Sequence, residues 1–133
     1  MRITRVLHTS VNVAGRLEDA TAFYRDVLGI GTIGRPDIPG VPGAWLAVED
    51  VQIHLVGSEP RDHTNADGID PGGPHVCFAV DDLDAAVAEL DALGLPRVDG
   101  SQTHDDRVIR QVWFTDPAGN VIELQQDPAF TAK

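Results

Sequence analysis

Apolar residues recur along this chain in two rhythms, one of period two and one of helical period, and the two come in the same order twice. Residues 3–13 (ITRVLHTSVNV) alternate as a strand does. Ile3, Leu7 and Val11 fall on one face with Arg5 and Thr9, and Val6, His8 and Ser10 on the other. In residues 16–28 the apolar positions Leu17, Ala20, Phe23, Tyr24, Val27 and Leu28 move to helical spacing. That predicts an amphipathic helix packed on a sheet, stopped by Gly29 and Gly31. Residues 31–43 hold three Pro and four Gly and read as turns or an irregular loop. Two strands follow, residues 44–48 and 51–56, joined by a turn at Glu49-Asp50. In the second, Val51, Ile53 and Leu55 oppose Gln52, His54 and Val56.

Residues 57–73 are polar and rich in Gly, Pro and Asp, which predicts a linker or a mobile loop over a site; His63 there reads as a solvated loop residue. The first pattern then returns. Residues 74–80 make a strand with Val76, Phe78 and Val80 on one face and His75, Cys77 and Ala79 on the other. Asp81 or Asp82 can cap a helix over 83–93, whose apolar stripe is Leu83, Ala86, Val87, Leu90 and Leu93. A strand around 95–98, a polar loop over 100–107 and a strand over 108–115 come next. Pro117 and Gly119-Asn120 then turn the chain into a last strand carrying Glu123. The tail after Gln126 reads as a loose end. The expected architecture is α+β: one domain, residues 1–133, built of two βαβββ modules at about 1–57 and 74–126 with a linker at about 58–73.

The repeat gives four polar residues a common meaning. His8 and His54 lie 46 residues apart on the outer strands of the first module, and His75 and Glu123 lie 48 apart on those of the second. A carboxylate inside an apolar strand needs a partner, because an unpaired buried charge is costly. A single histidine on a strand is ordinarily a hydrogen-bonded structural residue. Four such groups at equivalent places point instead to a shared divalent cation, for which nitrogen and carboxylate donors suit Fe, Mn, Co, Ni or Zn.

Composition narrows the partners. Lys plus Arg number 10 against 21 Asp plus Glu, a formal charge of −11, which disfavours nucleic acid and anionic membranes. The single cysteine, Cys77, excludes an internal disulfide and reads as packing. With no signal segment and no apolar run near the roughly 20 residues of a spanning helix, the expectation is a cytoplasmic protein.

Three blocks resemble conserved segments of the vicinal oxygen chelate superfamily: FYRDVLG (residues 23–29), HVCFAVDDLDAAVAEL (75–90) and FTDPAGNVIEL (114–124). That group includes glyoxalase I, methylmalonyl-CoA epimerase, extradiol dioxygenases, fosfomycin-resistance enzymes and bleomycin-binding proteins. The resemblance implies paired modules whose sheet curls around a cleft with helices outside, a homodimer, and a divalent metal on His8, His54, His75 and Glu123. It also implies a substrate or intermediate that chelates the metal through two vicinal oxygens, the metal serving as Lewis acid. Glyoxalase-like lyase or isomerase chemistry is the leading expectation. One departure is His54, where glyoxalase I carries Glu and the epimerase Gln or Glu; it reads as a fourth ligand or an acid/base group. Glu123 is a second candidate base. His8, His75 and Glu123 also match the facial triad of an Fe(II) extradiol dioxygenase. His104 and Trp113 then stand where that chemistry has His and Tyr, although Trp113 has no phenol and reads as a cleft wall. Trp45 reads as a cleft wall or dimer contact. A non-catalytic antibiotic-binding protein is the third class. Arg16 and Arg35 are default candidates for a glutathione contact, and Arg107 and Arg110 a weak phosphonate site.

Overall fold

The computed structural model describes residues 1–60 and 64–130. His63 lies outside them. The elements are β1 (Ile3–Asn12), α1 (Leu17–Asp26), β2 (Thr32–Ile33), β3 (Gly43–Val48), β4 (Val51–Val56), β5 (His75–Val80), α2 (Leu83–Ala92), β6 (Val98–His104), β7 (Arg107–Thr115) and β8 (Val121–Gln126). The eight strands form one curled mixed sheet in the order β2-β3-β4-β1-β5-β8-β7-β6. The order is symmetric about its middle. β1 runs parallel to β4, β5 runs parallel to β8, and β1 meets β5 antiparallel. The α+β fold of paired βαβββ modules is therefore the one the repeat predicts.

The helical face of the second module is a packed core. Val80, Leu83, Ala86, Leu90, Val112 and Leu124 are buried together, with Phe78, Val87, Phe114 and Ile122 against them. Asp82 caps α2 by accepting from the Ala85 N–H at 3.0 Å. Leu93, expected in the apolar stripe, is the C-cap residue and is exposed. The first module is looser. α1 touches β3 and β4 but buries no residue fully, and Phe23, Val27 and Leu28 lie exposed.

Several local expectations are corrected. β1 does not alternate strictly: its pairing with β5 shifts register between Ile3 and Arg5 and again between Val6 and His8. Val6 lies opposite Phe78 on the helical side, while His8 lies opposite Cys77 on the cleft side. Each shift inserts one unpaired residue, and one extra residue reverses the parity of the strand. Residues 100–104 are not loop but the body of β6, which begins at Val98. The loop shrinks to Asp105-Asp106, both at positive φ (51° and 63°), the conformation of a two-residue hairpin turn that Asp tolerates. Within 31–43, Thr32-Ile33 pair with Trp45 and Leu46, so that segment is not wholly irregular. The turn before β8 is tied by Asp116, whose Oδ1 accepts from the N–H groups of Ala118 and Asn120 at 2.9 and 2.8 Å.

Residues 65–69, in the stretch between the modules, are docked. Asn65 Oδ1 accepts from the Asp67 and Ile69 N–H groups, both at 3.0 Å, and Ile69 is buried against Trp113 and Val121. The start of the tail is also no loose end. Asp127 is 3% exposed and accepts from Thr4 Oγ1 at 2.6 Å, Arg5 Nε at 3.3 Å and the Ala129 N–H at 3.0 Å. The Thr4 hydroxyl, then the Ala129 N–H, hold its carboxyl below the usual range against the opposing effect of desolvation. A depressed carboxylate stabilises the fold above its unfolded pKa of about 4 and loses that contribution as pH falls through its folded value. Asp127→Ala should cost about 1–3 kcal/mol in urea unfolding at pH 7, and the loss should shrink as pH falls below the unfolded carboxylate value of about 4. Equal stability of the two proteins at pH 7 would contradict the docking of the tail.

Candidate functional site

Strand pairing lines up the cleft side chains in two rows across the sheet. One row runs Gln52, His8, Cys77, Glu123, Trp113 through consecutive pairings of β4, β1, β5, β8 and β7. The next runs Trp45, His54, Ser10, His75, Val121 through β3, β4, β1, β5 and β8. Cross-strand partners share a face, so residues far apart in sequence converge without any loop placing them. All of them but Cys77 and Val121, which lie beneath the surface, line a cleft of about 1160 Å³.

Three of the four residues singled out by the repeat meet at one point. His75 Nε2 is 2.9 Å from Glu123 Oε1, His8 Nε2 is 3.3 Å from the same oxygen, and the two Nε2 atoms are 3.2 Å apart. His75 Nδ1 lies 2.8 Å from the Gly73 carbonyl, which can only accept, so Nδ1 carries the proton. In neutral His75 the Nε2 lone pair therefore faces the Glu123 oxygen. Two electron-rich atoms at that distance need a cation between them, whether a proton on His75 or a metal ion.

Glu123 is 1% exposed and thoroughly held. Trp113 Nε1 donates to Oε1 at 3.2 Å; Gln125 and Gln111 donate to Oε2 at 2.6 and 3.4 Å. Burial alone would raise its pKa, but His75 and His8 outweigh that and bring it well below the usual carboxylate range. Oε2 is thus occupied by amides while Oε1 points at the histidines. The indole that helps fix it lies close over β6, where a Cβ on Gly100 would come within 2.7 Å of the Trp113 ring.

His54 takes a different place from the other three. Its ring stacks on His8, centroids 3.8 Å apart, and on Trp45 at 4.3 Å and 5°. Its Nε2 is 2.8 Å from Gln52 Oε1. Burial, then the neighbouring His8, pushes its pKa down to about 2, so it is neutral at ordinary pH. His104 stands edge-on to Trp45, centroids 5.7 Å apart, and lines the same cleft. Cys77, read from the sequence as packing, is fully buried, with its sulfur within 4.8 Å of donor atoms of both His8 and Glu123. Burial, then Glu123, keeps its thiol protonated far above the ordinary range. The register makes this intelligible, since Cys77 pairs with His8 on one side and Glu123 on the other. Trp113's role was legible only once it was known to pair with Glu123.

The donor set fits a metal ion. Ligands at about 2.0–2.2 Å from a cation stand about 3.0 Å apart on an octahedral face and about 3.4 Å apart in a tetrahedron. His8, His75 and Glu123 are spaced at 2.9 to 3.3 Å. The His75 hydrogen bond to a backbone carbonyl is the outer-shell contact that orients a ligating imidazole.

Trp113→Phe keeps a ring against Gly100 and removes one donor from Glu123. It should lower stability by about 1–3 kcal/mol in urea unfolding, and no loss would mean the carboxylate does not depend on that indole.

Comparison with known proteins bears on the fold and the family. Over 125 residues, 93% of this chain and 71% of the relative, the sequence is 28% identical to Glyoxylase I 4 of Arabidopsis thaliana. The crystal structure of methylmalonyl-CoA epimerase from Mycobacterium tuberculosis superposes with a TM-score of 0.71 at 27% identity, covering 96% of this chain and 91% of that one. A Streptomyces coelicolor methylmalonyl-CoA epimerase (S115T), in complex with 2-nitronate-propionyl-CoA, shares the fold at 20% identity and a TM-score of 0.70, with 99% and 100% covered. Among the described residues no helix is long and apolar enough to cross a membrane. The family model of the Glyoxalase/Bleomycin resistance protein/Dioxygenase superfamily matches residues 5–124, and the chain belongs to that superfamily.

Proposed function

We propose that this chain is a divalent-metal-dependent enzyme of the glyoxalase-like lyase or isomerase class, acting on a small molecule that chelates through two vicinal oxygens. The observation that carries the reading is the triangle of His8 Nε2, His75 Nε2 and Glu123 Oε1, with sides of 2.9 to 3.3 Å, facing the cleft. These three would hold the ion. When bound, the ion supplies Lewis-acid stabilisation of a developing oxyanion and so acidifies an adjacent C–H. The similarity to the M. tuberculosis epimerase, whose name describes a stereochemical inversion, favours proton transfer over redox chemistry.

The chain's own residues divide the work. Gln125 and Gln111 hold Glu123 Oε2 so that Oε1 stays turned to the ion. Ser10 Oγ, 3.2 Å from His75 Nε2, can donate to that imidazole and so helps to hold it in place. His54, neutral and clamped between two rings with its Nε2 on Gln52, walls the cleft beside His8 and is assigned neither ligation nor proton transfer, because a pKa of about 2 lies far from the working range of an acid/base catalyst. His104 stands farther out on the wall as the acid/base group of this reading. Two imidazoles and one carboxylate are also the ligand set of an Fe(II) extradiol dioxygenase, and that is the second reading.

Purified protein should retain about one equivalent of Fe, Ni, Co, Zn or Mn by elemental analysis. Glu123→Gln should weaken metal binding by more than the about 10–100-fold that loss of an outer-shell partner costs. Unchanged metal content in that variant would sink the assignment. Hydrogen–deuterium exchange at carbon next to a chelated carbonyl, without oxygen uptake, supports the lyase or isomerase; oxygen consumption on catechol with ferrous iron supports the dioxygenase.

A further inference from the structure

Among the described residues, Arg35 Nε is a buried side-chain nitrogen with no hydrogen-bond partner. Arg35 lines the same cleft as the metal-type donors. Its guanidinium has five N–H donors, and the described partner is the Val41 carbonyl, 2.6 Å from Nη2. Of the three other arginines that line the cleft, Arg5 pairs with Asp127 at 3.3 Å and Arg110 with Asp84 at 2.7 Å, while Arg107 makes no described ion pair but is exposed to solvent and so needs none. No described carboxylate lies within 4 Å of Arg35; Asp37, two residues on, acts on it only from farther away and is itself exposed. In a chain with 21 acidic residues and a charge of −11, a half-buried cation with no carboxylate in contact is out of character. Desolvated charge is costly unless something pairs with it.

The position is built by the sheet. A Cβ at Gly43 would lie 3.1 Å from Arg35 Nη2 and would collide with the Leu55 carbonyl, so the guanidinium rests over a strand position that must be glycine. Gly43 and Trp45 point to the same face of β3, about 7 Å apart. From Trp45 a stack of rings leads through His54 at 4.3 Å to His8 at 3.8 Å. Arg35 and the His8–His75–Glu123 triangle therefore stand at two ends of one wall.

We propose that Arg35 is the anion-binding residue of the cleft, and that the substrate carries a carboxylate remote from the oxygens that face the triangle. A planar carboxylate matches the guanidinium fork and supplies the contact that the exposed Asp37 does not make. Arg35 is thus a specificity residue: it selects an acidic small molecule and sets its length by the span to the triangle. This inference rests on the reading of the triangle as a cation centre, and the test separates the two.

The probes are α-ketoglutarate, α-ketoadipate, α-ketopimelate and α-ketosuberate, each compared with the α-keto monocarboxylate of equal length, by calorimetry on the zinc-loaded protein. The proposal expects at least one dicarboxylate to bind about 10–100-fold tighter than its match. That preference should vanish in Arg35→Gln and return in part in Arg35→Lys, with zinc content and melting temperature unchanged. Equal binding of every pair by a zinc-loaded protein overturns the role of Arg35 and leaves the metal reading standing. If zinc does not bind, the metal reading fails, and valerate against valeramide on the metal-free protein decides Arg35. Valerate binding abolished by Arg35→Gln supports the anion site, and no discrimination between acid and amide overturns it.

Discussion

A carboxylate buried to 1% exposure, with an imidazole nitrogen 2.9 Å from its oxygen, is the constraint on which this structure turns. Such a pair is repulsive without a cation, and everything around it prevents escape. The Gly73 carbonyl fixes the His75 tautomer, two glutamine amides occupy Glu123 Oε2, and the Trp113 indole closes on Oε1 from the neighbouring strand. Desolvation raises the cost of the unpaired charge and strengthens the pairing that relieves it. The hydrogen bonds spent on this one carboxylate hold it ready for a cation, whether the proton of a charged His75 or a metal ion.

The sheet makes that possible through its symmetry. Because β1 and β5 meet at the centre, each flanked by the last strand of its own module, the first and last strands of both modules lie side by side. Their cleft-facing residues then fall in rows by strand register alone. The interrupted alternation of β1 belongs to the same design. Without the shift after Val6, the strand could not put Val6 on the helical side and His8 in the cleft. The two sides of the sheet also differ in packing. α2 seals an apolar core beneath β8, whereas α1 covers the first module with no fully buried residue.

Much of this was legible in the chain. The repeated order of periods gave the modules, and the spacing of His8, His54, His75 and Glu123 marked the strands that meet. Alternation correctly separated Ile122 and Leu124, which pack toward α2, from Glu123 in the cleft. What stayed hidden has physical causes. A bulge adds a residue without altering composition, so Val6 was assigned to the wrong face. β6 is an edge strand of polar sequence, and Asp105-Asp106 lack the glycine that usually marks a tight hairpin, so both read as loop. Trp113 as a donor to Glu123, and Cys77 between His8 and Glu123, follow from register between strands, which local periodicity does not carry. Asp127 looked like tail because its partners, Thr4 and Arg5, are at the other end of the chain.

The central claim is that His8, His75 and Glu123 jointly hold one cation. X-ray absorption at the metal edge of cobalt-loaded protein reads the ligand set directly. The account predicts a first shell of nitrogen and oxygen at about 2.0–2.2 Å with the outer-shell scattering of two imidazoles. A sulfur shell at about 2.3 Å, which would place Cys77 on the metal, or the absence of imidazole scattering, would contradict it.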